Sequence, residues 1–333
     1  MRVGLYVAYW PWFSAEEQIS LAVQADRAGL DSVWVAEAWG QDAVSVLGHM
    51  TAVTERIGLG SALMQIPART PAATAMTAAT LDVLSGGRFR LGLGVSGPQV
   101  SEGWHGVPFA RPLARTREYV EIVRKALARE GPLEYQGSEF QLPLAGSELG
   151  KPLKLLAKPV SERIPIYLGA IGPKAVEQTA KIADGWIPFM FNPARADELL
   201  EPFRGTDVEI APAALICVDE DRDRARDLAR PWLATYLGAM GAKAKNFYVD
   251  TAERFGHGDS AREVQRLFAA GDREGAARAL TPELIDGSAI CCDYGELDER
   301  LAAYERAGAD TLLALPFGDR PRIIEALGAT VAA

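Results

Sequence analysis

Residues 57–97 read IGLGSALMQIPARTPAATAMTAATLDVLSGGRFRLGLGVSG. Ile57 to Leu63 is an apolar, glycine-containing run short enough for a buried strand, and Arg88 to Gly94 is a second run of the same kind. Between them lies a helix pattern. Pro71 suits a first helical turn, where a missing N–H costs nothing. Ala73, Met76, Thr77 and Leu81 recur at helical spacing, and Ser85-Gly86-Gly87 ends the helix. Strand, helix and strand in this span form a βαβ unit, which implies parallel strands and a buried sheet.

The chain on either side repeats the unit. Arg2 to Ala8 is a first strand, followed by the aromatic loop Tyr9-Trp10-Pro11-Trp12. Ser14-Ala15-Glu16-Glu17 has the form of a capping box, and Ile19, Ala22 and Val23 mark the expected buried face of its helix. Asp31 to Glu37 is the second strand, Ala43 to Thr54 a helix, and Ile57 to Leu63 the third strand. The fourth ends at Gly94. A loop with Trp104, His105 and Phe109 leads to a helix over Thr116 to Ala128. Residues 131–163 are too long and too rich in Pro and Gly for a plain connector, and EYQGSEF within them suits a hairpin over the barrel rim. Ile164 to Leu168, Gly185 to Phe189, Val208 to Val218 and Thr311 to Pro316 complete eight strands. Asp219-Glu220-Asp221 caps a charged, solvent-facing helix running through Arg230. Residues 232–285 form a helical insertion, and Pro321 to Leu327 the closing helix. Unbroken alternation of strand and helix across 1–333 predicts one α/β domain, a (β/α)8 TIM barrel with insertions near 131–163 and 232–285.

Composition narrows the function. The net charge of −9 argues against nucleic acid and against an anionic membrane surface. Three cysteines make no disulfide framework, and the adjacent Cys291 and Cys292 read as ordinary packing or surface residues. No apolar run is long enough to span a membrane, and MRVGLYVAY reads as a strand rather than a signal peptide, so a cytoplasmic protein is expected.

A barrel of this kind carries its active site at the C-terminal ends of its strands. Those ends are Tyr9-Trp10, Glu37-Ala38-Trp39, Ala62-Leu63-Met64, Val95-Ser96-Gly97, Ala170-Ile171-Gly172, Phe189-Met190 and Pro316-Phe317. The set is apolar and aromatic with one carboxylate, and suits a large flat cofactor. No pair among His49, His105, His257 and the acids has metal-ligand spacing, so no metal is expected. No Ser or Cys sits in a nucleophile elbow. Gly169-Ala170-Ile171-Gly172-Pro173-Lys174 follows a strand and opens a helix, which makes an anion site; the glycines equally suit a plain βα turn. Trp34, Trp186 and Trp232 read as core. Tyr9, Trp10, Trp39, Trp104 and Phe189 are candidate substrate contacts.

The wording of the opening stretch, a strand, then PARTP, then TLDVLSGGRFRLGLG, resembles the luciferase-like monooxygenase superfamily, and most closely its branch that uses the deazaflavin coenzyme F420. The resemblance extends to the first strand, Asp31 to Gly40, Tyr167 to Gly185 and the last strand. It implies the barrel fold and an F420-dependent oxidoreductase, with FMN as the alternative cofactor. It places the cofactor's phosphate around Ala170 to Lys174, and Val95, Ser96 and Gly97 are further candidate cofactor contacts. It also implies a bulge at Ser61-Ala62-Leu63 with a non-prolyl cis peptide between Ala62 and Leu63, propping one face of the ring. Family members commonly form dimers, so a homodimer is expected.

Glu37 and His105 are the candidate catalytic residues. Many relatives carry a His directly after the strand-two acid, where this chain has Ala38. An acid that some place after the fourth strand is absent from Val95-Ser96-Gly97. Both departures separate the chain from the acid–base machinery of the sugar-phosphate dehydrogenases. The expected reaction is reduction: hydride moves from the reduced deazaflavin to an activated C=C or C=N bond of a small organic substrate. Glu37, a lone carboxylate among apolar residues, would hold a proton and assist. The alternatives are an FMN-dependent monooxygenase and a non-catalytic ligand-binding barrel.

Overall fold

The computed structural model describes residues 1–241 and 246–332. Its centre is a ring of parallel strands. Arg2–Val7 pairs with Ser32–Val35 on one edge and Thr311–Phe317 on the other. Pairing continues from Ser32–Val35 through Gly58–Ser61, Phe89–Gly94, Ile166–Gly169 and Gly185–Trp186. Gly185–Trp186 meets Glu209–Ile210, and the same stretch of chain goes on as Ala213–Val218, which pairs with Thr311–Phe317. Residues 209–218 therefore join the two ends of the path and close the eight-stranded barrel.

One strand escaped the sequence reading. Ala289–Cys292 pairs with Leu215–Val218 on the edge that Gly185–Trp186 does not reach. Four residues inside a helical region leave no periodicity to detect. Cys291 and Cys292 are thus buried packing residues, not surface ones.

Helix boundaries follow their caps. Thr70 accepts the N–H of Ala73 at the start of Pro71–Ser85, and Gly86 ends that helix at φ 67°, left-handed backbone that glycine adopts without strain. The buried face differs from the expected one: Thr74, Ala75, Ala78, Leu81 and Asp82 face inward, while Met76 is 59% exposed. Small side chains let the helix lie close to the sheet, and the long one stays outside. Helix Ala15–Arg27 behaves likewise. Ser14 caps it, and Gln18, Leu21, Ala22 and Ala25 are buried where Ile19 and Val23 are only half-buried.

The helix expected to stop at Arg230 spans Arg222–Gly238 and passes through Pro231. Asp221 caps it. Helices Phe247–Arg254, Gly258–Ala269, Arg273–Arg278 and Pro282–Asp286 follow. Residues 242–245 of the expected 232–285 insertion lie outside the described residues.

The 131–163 stretch does contain a hairpin, Tyr135–Gln136 with Gln141–Leu142. Its turn sits on helix Pro112–Ala128, where the buried Glu118 carboxylate accepts the N–H groups of Ser138, Glu139 and Phe140 at 2.9, 2.8 and 3.1 Å. Burial opposes the Glu118 charge, but these bonds outweigh it and hold its carboxyl below the usual range. Farther along, Asp82 accepts the N–H groups of Val160 and Ser161 at 2.6 and 2.9 Å. Asp82 is near the C-terminal end of its helix, hence at the barrel end opposite the strand C-termini.

Glycines decide how the upper strand ends pack. Leu63 leans across Gly94 and Gly169. A Cβ on Gly169 would stand 2.0 Å from Leu63 Cδ1, and one on Gly94 2.9 Å from it. Gly169→Ala is expected to destabilise the protein by about 1–3 kcal/mol through overpacking. Combining it with Leu63→Ala removes the clash, so the two costs measured by urea unfolding should fall short of additivity by at least about 0.5 kcal/mol. Simple addition would contradict this packing.

Candidate functional site

A cavity of about 690 Å³ opens at the C-terminal ends of the strands. Its wall at the third strand begins where Ser61 ends the ladder. The Ser61 hydroxyl donates to the Gly92 carbonyl at 2.8 Å and accepts the Gly92 N–H at 2.9 Å. Ser61 is therefore a buried clasp between strands and not a lining residue, contrary to its expected cofactor contact. The next peptide, Ala62–Leu63, is cis. The Tyr6 hydroxyl donates to the Ala62 carbonyl at 3.0 Å from inside the barrel. Ala62 and Leu63 both line the cavity.

Glu37 lines the cavity at the end of the second strand, but it is not a lone carboxylate. Arg69, from the PARTP loop, donates to both its oxygens at 2.9 Å in a bidentate pair. Glu37 also accepts the N–H of Gln65 at 2.9 Å and of Ala43 at 3.3 Å. The Glu37 side chain is 6% exposed and that of Arg69 19%. Asp42 pairs with the same guanidinium. Burial works against the Arg69 charge, but Glu37 and Asp42 outweigh it and raise its pKa. A carboxylate with this partner and these four bonds has its oxygens fully engaged. The expected lone carboxylate is thereby corrected: its partner comes from a distant loop, which the apolar run around Glu37 does not reveal.

The Glu37 bond to Gln65 fixes the start of Met64–Gln65, and the Gln65 side chain carries the contact onward. Its Oε1 lies 2.9 Å from His105 Nε2 and accepts the Ser96 hydroxyl at 3.4 Å. Ser96 has φ 61°, left-handed backbone that a side-chain-bearing residue rarely adopts. Ser96 lines the cavity with Val95 and Gly97, whereas His105 stands behind Gln65 and does not.

After the fifth strand, Gly169 to Lys174 border the cavity. The Trp186 indole donates to the Ala170 carbonyl at 2.9 Å and holds the loop down. Helix Pro173–Ile182 begins there with Gly172 as its N-cap. The N–H groups of Ile171, Gly172 and Lys174 meet no acceptor among the described residues. Together with the positive end of the helix dipole they make an anion-binding edge.

The opposite wall is aromatic. Phe189 stacks on Tyr236 with ring centres 4.5 Å apart, and Tyr248 meets both edge-on at 5.3 and 5.1 Å. Tyr9 lies beside them against Trp232, 6.0 Å centre to centre. Burial pushes the Tyr9 phenol up to about 12 and raises Tyr6, Tyr236 and Tyr248 above their ordinary value, so all four carry their protons at neutral pH. Trp39 lines the mouth, but Trp10 and Trp104 are exposed and do not reach the cavity. Met190, Pro316 and Phe317 do not line it either. Trp34, Trp186 and Trp232 are core.

Sequence reasoning missed Tyr6, Gln65, Tyr236, Met240, Phe247 and Tyr248. Trp232 and Tyr236 are four apart on one helix face, a signal visible once the helix is carried through Pro231. Phe247 and Tyr248 show that the 232–285 insertion shapes the cavity. No residue of the 131–163 stretch lines it.

A parallel eight-stranded barrel, with a flat apolar wall and an anion-binding loop at the strand ends, is the architecture of a cofactor-using barrel enzyme. The family described as luciferase-like monooxygenase matches residues 2–311, and the chain belongs to it. It is 42% identical to a putative coenzyme F420-dependent oxidoreductase of Mycobacterium tuberculosis, with 97% of each chain covered. It is 29% identical to the 5,10-methylenetetrahydromethanopterin reductase of Archaeoglobus fulgidus over 98% of each. The solved coenzyme F420-dependent tetrahydromethanopterin reductase of Methanopyrus kandleri shares its fold, with a TM-score of 0.82, 22% identity, and 98% of this chain and 97% of that one covered.

The Glu37–Arg69 pair yields a stability test. Arg69→Met leaves a buried carboxylate unpaired and is expected to cost about 3–5 kcal/mol in urea unfolding, with part recovered when Glu37→Gln is added. A cost below about 1 kcal/mol would show the pair to be as weak as an exposed one.

Proposed function

We propose that this protein is an F420-dependent oxidoreductase working as a reductase on a small, uncharged organic substrate. The observation that carries the cofactor reading is one cavity lined both by an apolar wall, Ala62 and Leu63, and by the loop that bears the amides of Ile171, Gly172 and Lys174. A cavity of about 690 Å³ is large enough for an extended cofactor and a small substrate. Gln99 Oε1 and Thr116 Oγ1, buried in its wall, have no hydrogen-bond partner among the described residues. A polar ligand threading between ring and phosphate would satisfy them. The name of the M. tuberculosis relative supports the deazaflavin over FMN.

When bound, the deazaflavin supplies a two-electron hydride carrier. The chain's residues do the rest. Leu63 and the Ala62 backbone present a flat wall for the ring. Gly172 to Lys174 hold the phosphate. Phe189, Tyr236 and Tyr248 press the substrate toward the ring and exclude water, which is catalysis by proximity and orientation. The reductive direction follows from the proton inventory. Oxidising an alcohol needs a base for the hydroxyl proton. Glu37 is spent on Arg69, no His lines the cavity, and the remaining buried phenols are proton donors. Among the described residues no helix is long and apolar enough to cross a membrane. The negative net charge and small-molecule cavity favour a cytoplasmic reductase over a nucleic-acid or membrane partner.

Titrating the protein with F420 and, separately, with FMN, following absorbance and fluorescence, checks the cofactor. Micromolar or tighter binding of F420 and at least about tenfold weaker binding of FMN are expected, a difference of about 1.4 kcal/mol. FMN binding without F420 binding would establish the monooxygenase reading instead.

A further inference from the structure

We infer that Gln65 presents a fixed hydrogen-bond donor to a carbonyl oxygen of the cofactor ring and so favours the reduced ring over the oxidised one, with His105 as its positioning residue. This rests on the cofactor reading above. Gln65 lines the cavity and is only 7% exposed. Three groups hold it. Its backbone N–H donates to Glu37, which Arg69 fixes in a bidentate pair. Its Oε1 lies 2.9 Å from His105 Nε2 and accepts the Ser96 hydroxyl at 3.4 Å. A carboxamide oxygen only accepts, so His105 carries its proton on Nε2. Ser96 makes its bond from left-handed backbone at φ 61°, a conformation that persists where its surroundings impose it.

The other half of the carboxamide has no such hold. Gln65 Nε2 meets no acceptor among the described residues, and it is not among the polar atoms sealed off inside the protein. It therefore opens on the cavity that Gln65 lines. An amide nitrogen donates and does not accept, so its partner is an acceptor atom of a ligand. The neighbouring hydroxyls are already engaged, that of Tyr6 with the Ala62 carbonyl and that of Ser96 with Gln65 itself.

Location selects the ring over the substrate. Gln65 pairs with Gly94 where Met64–Gln65 runs beside Phe89–Gly94, and Leu63 leans over that same glycine. The donor is thus rooted beside the apolar wall on which the ring rests. The wall of Phe189, Tyr236 and Tyr248, which presses on the substrate, belongs to other elements. Deazaflavin and flavin rings both end in a pyrimidinedione, whose two carbonyl oxygens are acceptors. Hydride uptake pushes an electron pair toward those oxygens, so a donor already aimed at them binds the reduced ring more strongly and needs no reorganisation to do so. A carboxamide does not release its proton, so Gln65 sets the ring's affinity and potential and carries no proton transfer. His105 does not line the cavity and reaches the ring only through Gln65.

The test titrates the protein with oxidised F420 and, without air, with reduced F420, following absorbance and fluorescence with no substrate present. Gln65→Met should weaken binding of the reduced form about tenfold or more and of the oxidised form about threefold or less. Gln65→Glu keeps an acceptor for His105 and Ser96 but turns an oxygen toward the ring, and should weaken the reduced form at least as much. His105→Ala should move the ratio of the two affinities in the same direction by less, and should not move it further in the Gln65→Met background. Unchanged affinities in Gln65→Met, a loss equal in both redox forms, or tight binding of the reduced form by Gln65→Glu overturns the donor assignment. Unchanged affinities with a raised KM in turnover give the donor to the substrate and overturn it too. An effect of His105→Ala that persists undiminished beside Gln65→Met overturns its positioning role. A wild-type protein that binds neither form of F420 overturns the cofactor reading itself, whereas a failure confined to the variants leaves that reading standing.

Discussion

Leu63 crossing the glycines at 94 and 169 is the contact on which the site depends. Parallel strands of a closed barrel normally end in side chains that crowd one another. Here the fourth and fifth strands end in Gly94 and Gly169, and the space they leave is filled by one leucine from the third. The result is a smooth apolar surface, set by backbone on one side and a single side chain on the other. Its position is secured twice. Ser61 clasps Gly92 across the ladder just before the turn, and Tyr6 holds the Ala62 carbonyl from within the barrel. These bonds join residues far apart in sequence, so the surface exists only when the ring of strands is closed.

Around this surface, charge and neutrality are kept apart. The carboxylate at the cavity edge, Glu37, serves geometry. Arg69 and Glu37 neutralise each other and pin the backbone of Gln65, whose side chain then orients Ser96 and His105. The opposite wall holds neutral phenols and hydrocarbon. A buried ion pair contributes little net stability compared with an apolar pair of the same shape, but it fixes position strongly because breaking it strands a charge. That division leaves the aromatic wall, with its protonated phenols, free of ion pairs.

Much of the fold is legible in residues 57–94, because strand, helix and strand each carry their own stop signal in a glycine or proline. The strand-end residues Glu37, Ala62, Leu63, Val95 to Gly97 and Ala170 to Lys174 follow from the barrel rule, and the structure gathers them at one cavity. Other features are not written locally. Ala-rich helix Pro71–Ser85 has small residues all round, so spacing cannot choose its inner face. Pro231 reads as a helix stop, yet the helix passes through it and brings Tyr236 inward. Arg69 and Glu37 lie 32 residues apart, and only the bend of the chain after the third strand makes them partners. His105 looks free as a loop residue and is tied to Gln65 only in three dimensions.

A crystal structure of the protein grown with oxidised F420 tests the central claim most directly. The account expects the tricyclic ring to lie flat against Ala62 and Leu63, with the phosphate within hydrogen-bond distance of the amides of Gly172 and Lys174 and the opposite ring face open to the cavity. A ring bound away from Leu63, or a phosphate held by other residues, would contradict it.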